Sequence, residues 1–228
     1  MIVSTIAREL QVREDQIRAV LDLLAAGNTV PFIARYRKEA TGGLDDTQLR
    51  TIEERATYLR ELEDRKQTVL EAVEEQGKLT GDLRALILAC ETKARLEDLY
   101  LPFRKRRRTK ADIARDAGLE ALTDALIDAP TATPETLAAD YLTEGFEDER
   151  TALEGARAIL IDRFALDADL VGEVREQMFR TGQMVSSVVA GKETEGAKFK
   201  DYFEFSEPFT TLPSHRILAL LRGEAEGV

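Results

Sequence analysis

Residues 45–77 read DDTQLRTIEERATYLRELEDRKQTVLEAVEEQG, and this stretch predicts the longest helix in the chain. Its apolar side chains recur at steps of three and four residues, which places them on one helix face; they are Leu49, Ile52, Ala56, Leu59, Leu62, Val69 and Val73. Lys66 stands where the pattern expects an apolar residue. We expect an amphipathic helix over about 46–76, roughly 45 Å long, on which other elements pack. A dimeric coiled coil is the alternative, but the apolar seam is short and interrupted.

The rest of the chain also favours helices and predicts an all-α fold. Leu, Ala, Glu and Arg dominate the 228 residues and Trp is absent, a composition that suits helices. Residues 184–189, MVSSVV, have a strand-like composition and predict at most a minor strand. We therefore expect an elongated array of many helices, with a helical region over residues 1–190 and a distinct segment over residues 191–228.

Residues 4–27 predict two short helices joined by a tight turn, which resembles a helix-turn-helix pair. Ile6 and Ile17 lie on the apolar faces of the two helices. Such pairs read DNA in some proteins and serve as packing units in others. The second helix offers Arg18 as its outward cation, with Asp22 close by. We interpret the pair as a packing unit because this is a poor set of residues for phosphate or base contacts.

Charge is segregated along the chain. The protein carries 32 Lys+Arg against 43 Asp+Glu, a net charge of −11, yet six cations fall within seven residues. Such a cluster persists most easily where a polyanion or an acidic surface faces it. The candidate nucleic-acid contacts are therefore Arg104, Lys105, Arg106, Arg107, Arg108 and Lys110, joined by Arg35, Arg37 and Lys38 if the two segments approach each other. Tyr100 and Phe103 are candidates for stacking on unpaired bases.

Other interpretations of these residues stay open. The arginines can pair with carboxylates of the same molecule, an acidic protein can bind them, and the two aromatic residues can be core anchors. The acidic remainder of the chain repels polyanions, but salt screens that repulsion beyond about 8 Å. We therefore expect nucleic-acid binding that is weak, non-specific and micromolar at best.

Residues 29–40, TVPFIARYRKEA, predict a short helix in which Pro31 occupies the first turn. We expect Phe32, Ile33 and Tyr36 to be buried there, while the three cations of the segment stay in solvent. A Gly-Gly loop follows at Gly42 and ends the element.

Residue types that support catalysis or metal binding are scarce. His215 is the single histidine and Cys90 the single cysteine, which excludes an internal disulfide and the usual zinc ligand sets. Cys90 follows apolar residues, so we expect a buried, inert thiol. Acidic pairs such as Asp45-Asp46 stand where helices begin, and the helix dipole accounts for them. We predict no catalytic site, no metal and no cofactor, and hence a protein that is not an enzyme.

The chain also lacks the patterns of a membrane protein. No apolar run approaches the roughly 20 residues of a transmembrane helix, and the first residues lack the apolar core of a signal peptide. Together with the single cysteine, this predicts a cytoplasmic protein with no membrane partner.

Three stretches combine uncommon residue runs. They are TVPFIARYRKEATGGLDD at 29–46, LEDLYLPFRKRRRTKADIARDAGLEAL at 96–122, and GAKFKDYFEFSEP with LPSHRILALLRGEAEGV at 196–208 and 212–228. In this order they resemble the Tex family of bacterial transcription accessory proteins, which has a eukaryotic relative among elongation factors. The resemblance covers essentially the whole chain, as the N-terminal region of a longer protein. It implies association with transcription and with nucleic acid, including RNA.

Family members continue into a YqgF-like domain of ribonuclease H type, helix-hairpin-helix elements and an S1 domain, to which nucleic-acid binding is generally credited. The resemblance therefore implies a truncated piece whose residues 191–228 lead into those downstream domains. The expected function is that of a non-enzymatic helical scaffold that positions them. The alternative is a protein-interaction module that docks onto a transcription or ribosomal protein.

Overall fold

A computed structural model describes residues 2–228, and internal contacts divide the chain into two units between Phe103 and Arg104. The helices of the first unit are α1 (Ile2–Leu10), α2 (Glu14–Ala25), α3 (Val30–Tyr36), α4 (Asp46–Glu74), α5 (Gly81–Ala89) and α6 (Lys93–Tyr100). The elements of the second are α7 (Lys110–Asp116), α8 (Glu120–Asp128), α9 (Pro134–Ala138), α10 (Glu149–Leu166), α11 (Ala168–Thr181), β1 (Gln183–Ser187), β2 (Glu204–Pro208) and α12 (Ser214–Ala225). The predicted all-α fold is confirmed, and the one small sheet has two strands among the described residues.

The predicted long helix is α4, and it carries the core of the first unit. Asp45 caps it reciprocally: its carboxylate accepts from the Gln48 amide (2.8 Å) and its own amide donates to the Gln48 side chain (3.1 Å). Caps of this kind stabilise a helix by about 1 kcal/mol. The other five helices of the unit all pack against α4, on a stripe that includes the fully buried Leu49 and Ile52.

Lys66, which interrupts that stripe, is only 3% exposed. Its ammonium donates to the Glu63 carboxylate (2.8 Å) and to the Leu88 carbonyl near the end of α5 (2.9 Å). A buried cation is tolerated when its donors are paired. The break in the apolar pattern therefore marks a polar link between α4 and α5.

Helices α1 and α2 form the pair expected near the N-terminus. The turn between them passes through Gln11, which adopts a φ of 54°. Ile6, Ile17 and Val20 are fully buried, and both helices pack against α4. The apolar faces of the pair are thus used for packing within the first unit.

The second unit has its own core, built around α10. Its buried members are Ala111, Ala114, Leu119, Leu122, Ala138, Ala152, Ala156 and Ile159. Small residues let the helices approach closely here. A Cβ atom added at Gly155 would lie 2.5 Å from Leu119 Cδ1 and 2.9 Å from Phe146 Cε1, so a larger residue does not fit without movement.

The predicted minor strand is β1, and its antiparallel partner β2 was not predicted. Gln183 faces Pro208 at one end of the ladder and Ser187 faces Glu204 at the other.

The sequence interpretation placed a division near residue 190, whereas the units divide at residue 103. Residue 190 lies between the two strands, whose pairing holds both sides of that position in the second unit.

Candidate nucleic-acid interface

The cationic cluster forms an extended loop that leads into α7. Residues 104–109 have no regular secondary structure, and all six cations from Arg104 to Lys110 are exposed. Thr109 ends the loop by capping α7: its hydroxyl accepts from the Asp112 amide (3.2 Å), while the Asp112 carboxylate accepts from the Thr109 amide (2.8 Å). The loop is therefore fixed at its C-terminal end.

Arg106 anchors the middle of the loop to α10. Its guanidinium donates to both carboxylate oxygens of Asp162, at 2.5 and 3.0 Å, and to Asp112 at 3.2 Å. Asp162 also pairs with Arg115 of α7 at 2.8 Å. The hydrogen bonds from Arg106, followed by those from Arg115, lower the pKa of Asp162, and the same pairing raises the pKa of Arg106. Arg106 thus has a structural role within the second unit.

The remaining cations of the loop fall into two groups. Arg108 pairs with Asp116 of α7. Within residues 2–228, no carboxylate forms an ion pair with the other four, which are Arg104, Lys105, Arg107 and Lys110. Internal pairing therefore accounts for Arg106 and Arg108, and nucleic-acid contact stays a prediction for the other four cations.

The two candidate stacking residues are only partly accessible. Tyr100, at the end of α6, is half-buried, and the Arg65 guanidinium lies 5.3 Å from its ring centroid. Arg65 is in turn held by Glu97 at 2.6 Å. Phe103 is also half-buried, and its carbonyl accepts from the Gln76 side chain at 3.0 Å. Both residues belong to the first unit, and both serve partly as anchors there.

Arg35, Arg37 and Lys38 lie at the end of α3 and in the turn that follows it, in the first unit. All three are exposed, and no carboxylate among the described residues forms an ion pair with them. Arg37 instead lies over the Phe32 ring, 5.5 Å from its centroid.

The predicted burial of this segment is wrong for two of its three apolar residues. Ile33 is fully buried, but Phe32 is 38% exposed and Tyr36 is 60% exposed. Their rings lie one helical turn apart, with centroids 5.2 Å apart and an interplanar angle of 47°. A seven-residue helix that packs Val30 and Ile33 inward turns its 32/36 stripe outward. The sequence analysis missed that Phe32 and Tyr36 form a second apolar stripe, on a helix face where neighbouring residues are cations.

The single histidine and the single cysteine do not form a reactive site. His215 is exposed at the beginning of α12. Cys90 is buried, its thiol lies 3.4 Å from the Leu86 carbonyl, and loss of solvent raises the pKa of the thiol. Among residues 2–228 no group of three or more His, Cys, Asp or Glu side chains is arranged to hold a metal ion, and no helix there is long and apolar enough to cross a bilayer.

Comparisons with known proteins match most of the chain. The model of the Tex-like protein N-terminal domain matches residues 1–74, and the model described as Tex central region-like matches residues 129–228. The chain is similar to protein YhgF of Escherichia coli, with 56% identity over 225 residues that make up 98% of this chain and 29% of the relative. It is also similar to the transcriptional accessory protein Tex of Neisseria gonorrhoeae, with 55% identity over 223 residues, 98% of this chain and 30% of the relative.

A more distant similarity reaches a human protein. S1 RNA-binding domain-containing protein 1 of Homo sapiens is 29% identical over 215 residues, which are 90% of this chain and 21% of that protein. The chain spans less than a third of the length of each of these three relatives.

Proposed function

The chain belongs to the Tex family of transcription accessory proteins, and on that basis we propose that it is a non-enzymatic helical scaffold with a weak phosphate-backbone contact of its own. The contact is assigned to Arg104, Lys105, Arg107 and Lys110. This proposal rests on one observation: within residues 2–228 these four exposed cations form no ion pair with a carboxylate, whereas Arg106 and Arg108 do.

The anchored loop suits phosphate binding for a physical reason. Like charges close together repel one another, and a loop that carries them tends to spread into solvent. Two ion pairs, Arg106 with Asp162 and Arg108 with Asp116, hold the loop against the second unit and limit this spreading. The free cations between and beside them stay close together, which favours a strand of phosphates over a single small anion. Each phosphate that they neutralise would release condensed counterions.

The names of two relatives support a nucleic-acid role in a longer protein. One relative is a transcriptional accessory protein, and the human relative is named for an S1 RNA-binding domain. We propose that residues 191–228 lead into such downstream domains and that the loop supplements their affinity. The loop contact by itself would then be non-specific, because phosphate contacts carry no base information.

Fluorescence anisotropy with a labelled 20-nucleotide RNA, a single-stranded DNA and a DNA duplex tests this proposal. We expect dissociation constants in the micromolar range or weaker, which rise steeply with salt. For single strands the logarithm of the association constant should fall with the logarithm of salt concentration with a slope of about −3 if four contacts form. Replacing all four free cations by Gln should remove most of this slope.

A matched control variant changes four exposed cations elsewhere that also lack ion-pair partners among the described residues. These are Arg60, Lys78, Lys200 and Arg222, each replaced by Gln. The control has the same net charge as the loop variant, so equal losses of binding in both would mean that only total charge matters. Tight, salt-insensitive or sequence-selective binding would contradict the proposal.

A protein-docking module is the second candidate function. It is favoured by large apolar side chains that remain about half exposed on α10 and α11, namely Ile161, Phe164, Val174, Met178 and Phe179. A polymerase or ribosomal protein would be the partner. Two variants separate the candidates: charge reversal at Arg104, Lys105 and Arg107, and replacement of Phe164, Met178 and Phe179 by Ser. Loss of nucleic-acid binding in the first with partner binding intact supports the scaffold. Loss of partner binding in the second with nucleic-acid binding intact supports the docking module.

A further inference from the structure

We propose that α3 and the turn after it form a second contact, which stacks an unpaired nucleobase on Phe32 and Tyr36 and holds the flanking phosphates with Arg35 and Lys38. The ligand class is single-stranded nucleic acid. This surface lies in the first unit, whereas the cationic loop lies in the second.

The first argument is the coincidence of exposed rings with free cations. Tyr36 exposes 60% of its surface, and Phe32, one helical turn away, exposes 38%. The groove beside them is lined by Pro31, Phe32, Ala34, Arg35, Tyr36, Lys38 and Asp46. The two rings contact each other, with centroids 5.2 Å apart, so their exposed parts form one continuous aromatic patch. Every nucleobase presents a flat π-face that such rings can cover, and phosphates lie beside it for the cations.

The second argument is that the charge of the groove favours an anion. Arg35 and Lys38 have no carboxylate ion-pair partner in the part of the chain that the structure describes. Among the described residues that line the groove, Asp46 is the one carboxylate, and it accepts from Arg50 at 2.8 Å. The two cations of the groove therefore outnumber its carboxylate, which favours an anionic ligand.

The third argument is that buried polar contacts hold the cationic turn in place. Thr41 is fully buried, and its hydroxyl lies 3.3 Å from both the Arg37 and the Lys38 carbonyl oxygens. Gln16 of α2, itself buried, donates to the carbonyls of Thr41 (3.1 Å) and Gly42 (3.2 Å). At Gly42 the φ of +65° and a Cβ position 2.6 Å from Gln16 Nε2 both favour glycine. The cations thus stand on a backbone that is ordered before any ligand binds, which reduces the entropic cost of binding.

These observations favour a nucleobase over an acidic protein segment. Arg37 already lies over the Phe32 ring, but carboxylates alone would pair with the cations and leave the Tyr36 ring uncovered. A core role is excluded for Tyr36 by its exposure, and an internal ion pair is excluded for Arg35 and Lys38 by the absence of carboxylate partners among residues 2–228.

The test introduces one tryptophan as a fluorophore. Its emission can be assigned to a single position because the protein contains no tryptophan of its own. In Tyr36→Trp the indole reports directly on base stacking by quenching. Titration with a 12-nucleotide oligothymidylate should quench this emission, and a 12-mer of abasic phosphodiester units should not. The matched control is Leu86→Trp, at a 49% exposed apolar position of α5, which belongs to no proposed binding surface and where neither oligomer should quench.

Anisotropy of the labelled oligothymidylate gives the second readout. Loss of a stacked base weakens binding by roughly fivefold or more, so we expect that loss for Tyr36→Ala. Tyr36→Phe should bind like wild type, and Leu86→Ala should show no change. Circular dichroism checks that each variant is folded. The base-dependent part of binding should persist when the four loop cations are replaced by Gln, which separates this inference from the loop contact.

Three outcomes would overturn the inference: equal quenching by the abasic oligomer, unchanged affinity in folded Tyr36→Ala, or displacement of the oligothymidylate by polyglutamate at equal charge concentration. The last result would identify the surface as a site for acidic protein segments.

Discussion

The Arg106 guanidinium donates two hydrogen bonds to the Asp162 carboxylate, which lies 56 positions further along the chain. Asp162 exposes only 11% of its side chain and also receives Arg115. This carboxylate therefore decides how much of the cationic loop is available to phosphates, because it neutralises one arginine and fixes the loop on α10. Weakening the Arg106–Asp162 pair should therefore lower the stability of the second unit and raise the positive charge that the loop presents to solvent.

Asp162→Asn should lower the stability of the second unit and strengthen nucleic-acid binding together. Loss of the charged acceptor should cost about 1–2 kcal/mol in the free energy of unfolding, after allowance for solvent screening at Arg106. Arg106 then keeps only Asp112 as a charged partner among the described residues, at 3.2 Å, so part of its charge becomes available and the salt slope of single-strand binding should steepen by up to about 0.7. Denaturant titration and anisotropy measure the two effects.

Asp140→Asn is the control for that variant. Asp140 is exposed, and its replacement changes the net charge by the same amount. It should leave stability unchanged. If both variants steepened the slope equally, the net charge of the protein would be responsible and Arg106 would not be.

The pH dependence of stability should report the same pair. The pKa of Asp162 is lowered below its ordinary value of 3.8 by the hydrogen bonds from Arg106. A carboxylate with a lowered pKa contributes stability above the unfolded-state pKa and loses it as the pH falls through the folded-state pKa. The difference in unfolding free energy between wild type and Asp162→Asn should therefore be constant above about pH 5 and shrink as the pH falls below 4. A difference that grew in acid would contradict this assignment.

Gly155→Ala should destabilise the second unit although alanine favours helices. The added methyl group would lie 2.5 Å from Leu119 Cδ1 in the core. Overpacking costs about 1–3 kcal/mol, which exceeds the gain of about 1 kcal/mol in helix propensity. Gly81→Ala in α5 is the matched control, because open space surrounds its Cβ position. Thermal unfolding should show a lower midpoint for the first variant and an equal or higher midpoint for the second.

Gln16→Leu should destabilise the turn that carries the cations of the first unit. Three hydrogen bonds of this side chain, to the carbonyls of Thr41 and Gly42 and from the Arg13 amide, would be lost at a buried site. Each unsatisfied buried polar group costs about 1–3 kcal/mol. Amide hydrogen exchange should increase over residues 37–43. Gln177→Leu, an exposed position on α11, should change neither exchange nor stability.

The spacing of apolar residues along the chain was enough to predict the helices, but it was not enough to predict which side chains are exposed. The three-and-four spacing from Leu49 to Val73 predicted α4 nearly to its ends, because burial of one face dominates the stability of a long helix. The same reasoning was wrong for Phe32 and Tyr36, since α3 is short and its sequence offers two apolar stripes. Only its packing against α2 and α4 shows which stripe is covered.

The amino-acid order alone was sufficient for the family, the helical architecture and the cationic cluster, since each depends on residues that are neighbours in the chain. Which cations form ion pairs and which do not is decided only by the tertiary structure. Asp162 meets Arg106 across 56 positions, and no carboxylate reaches Arg104 or Arg107 among the described residues. Ion pairs form over a few ångströms between side chains that packing brings together, and that distance cannot be read from spacing along the sequence.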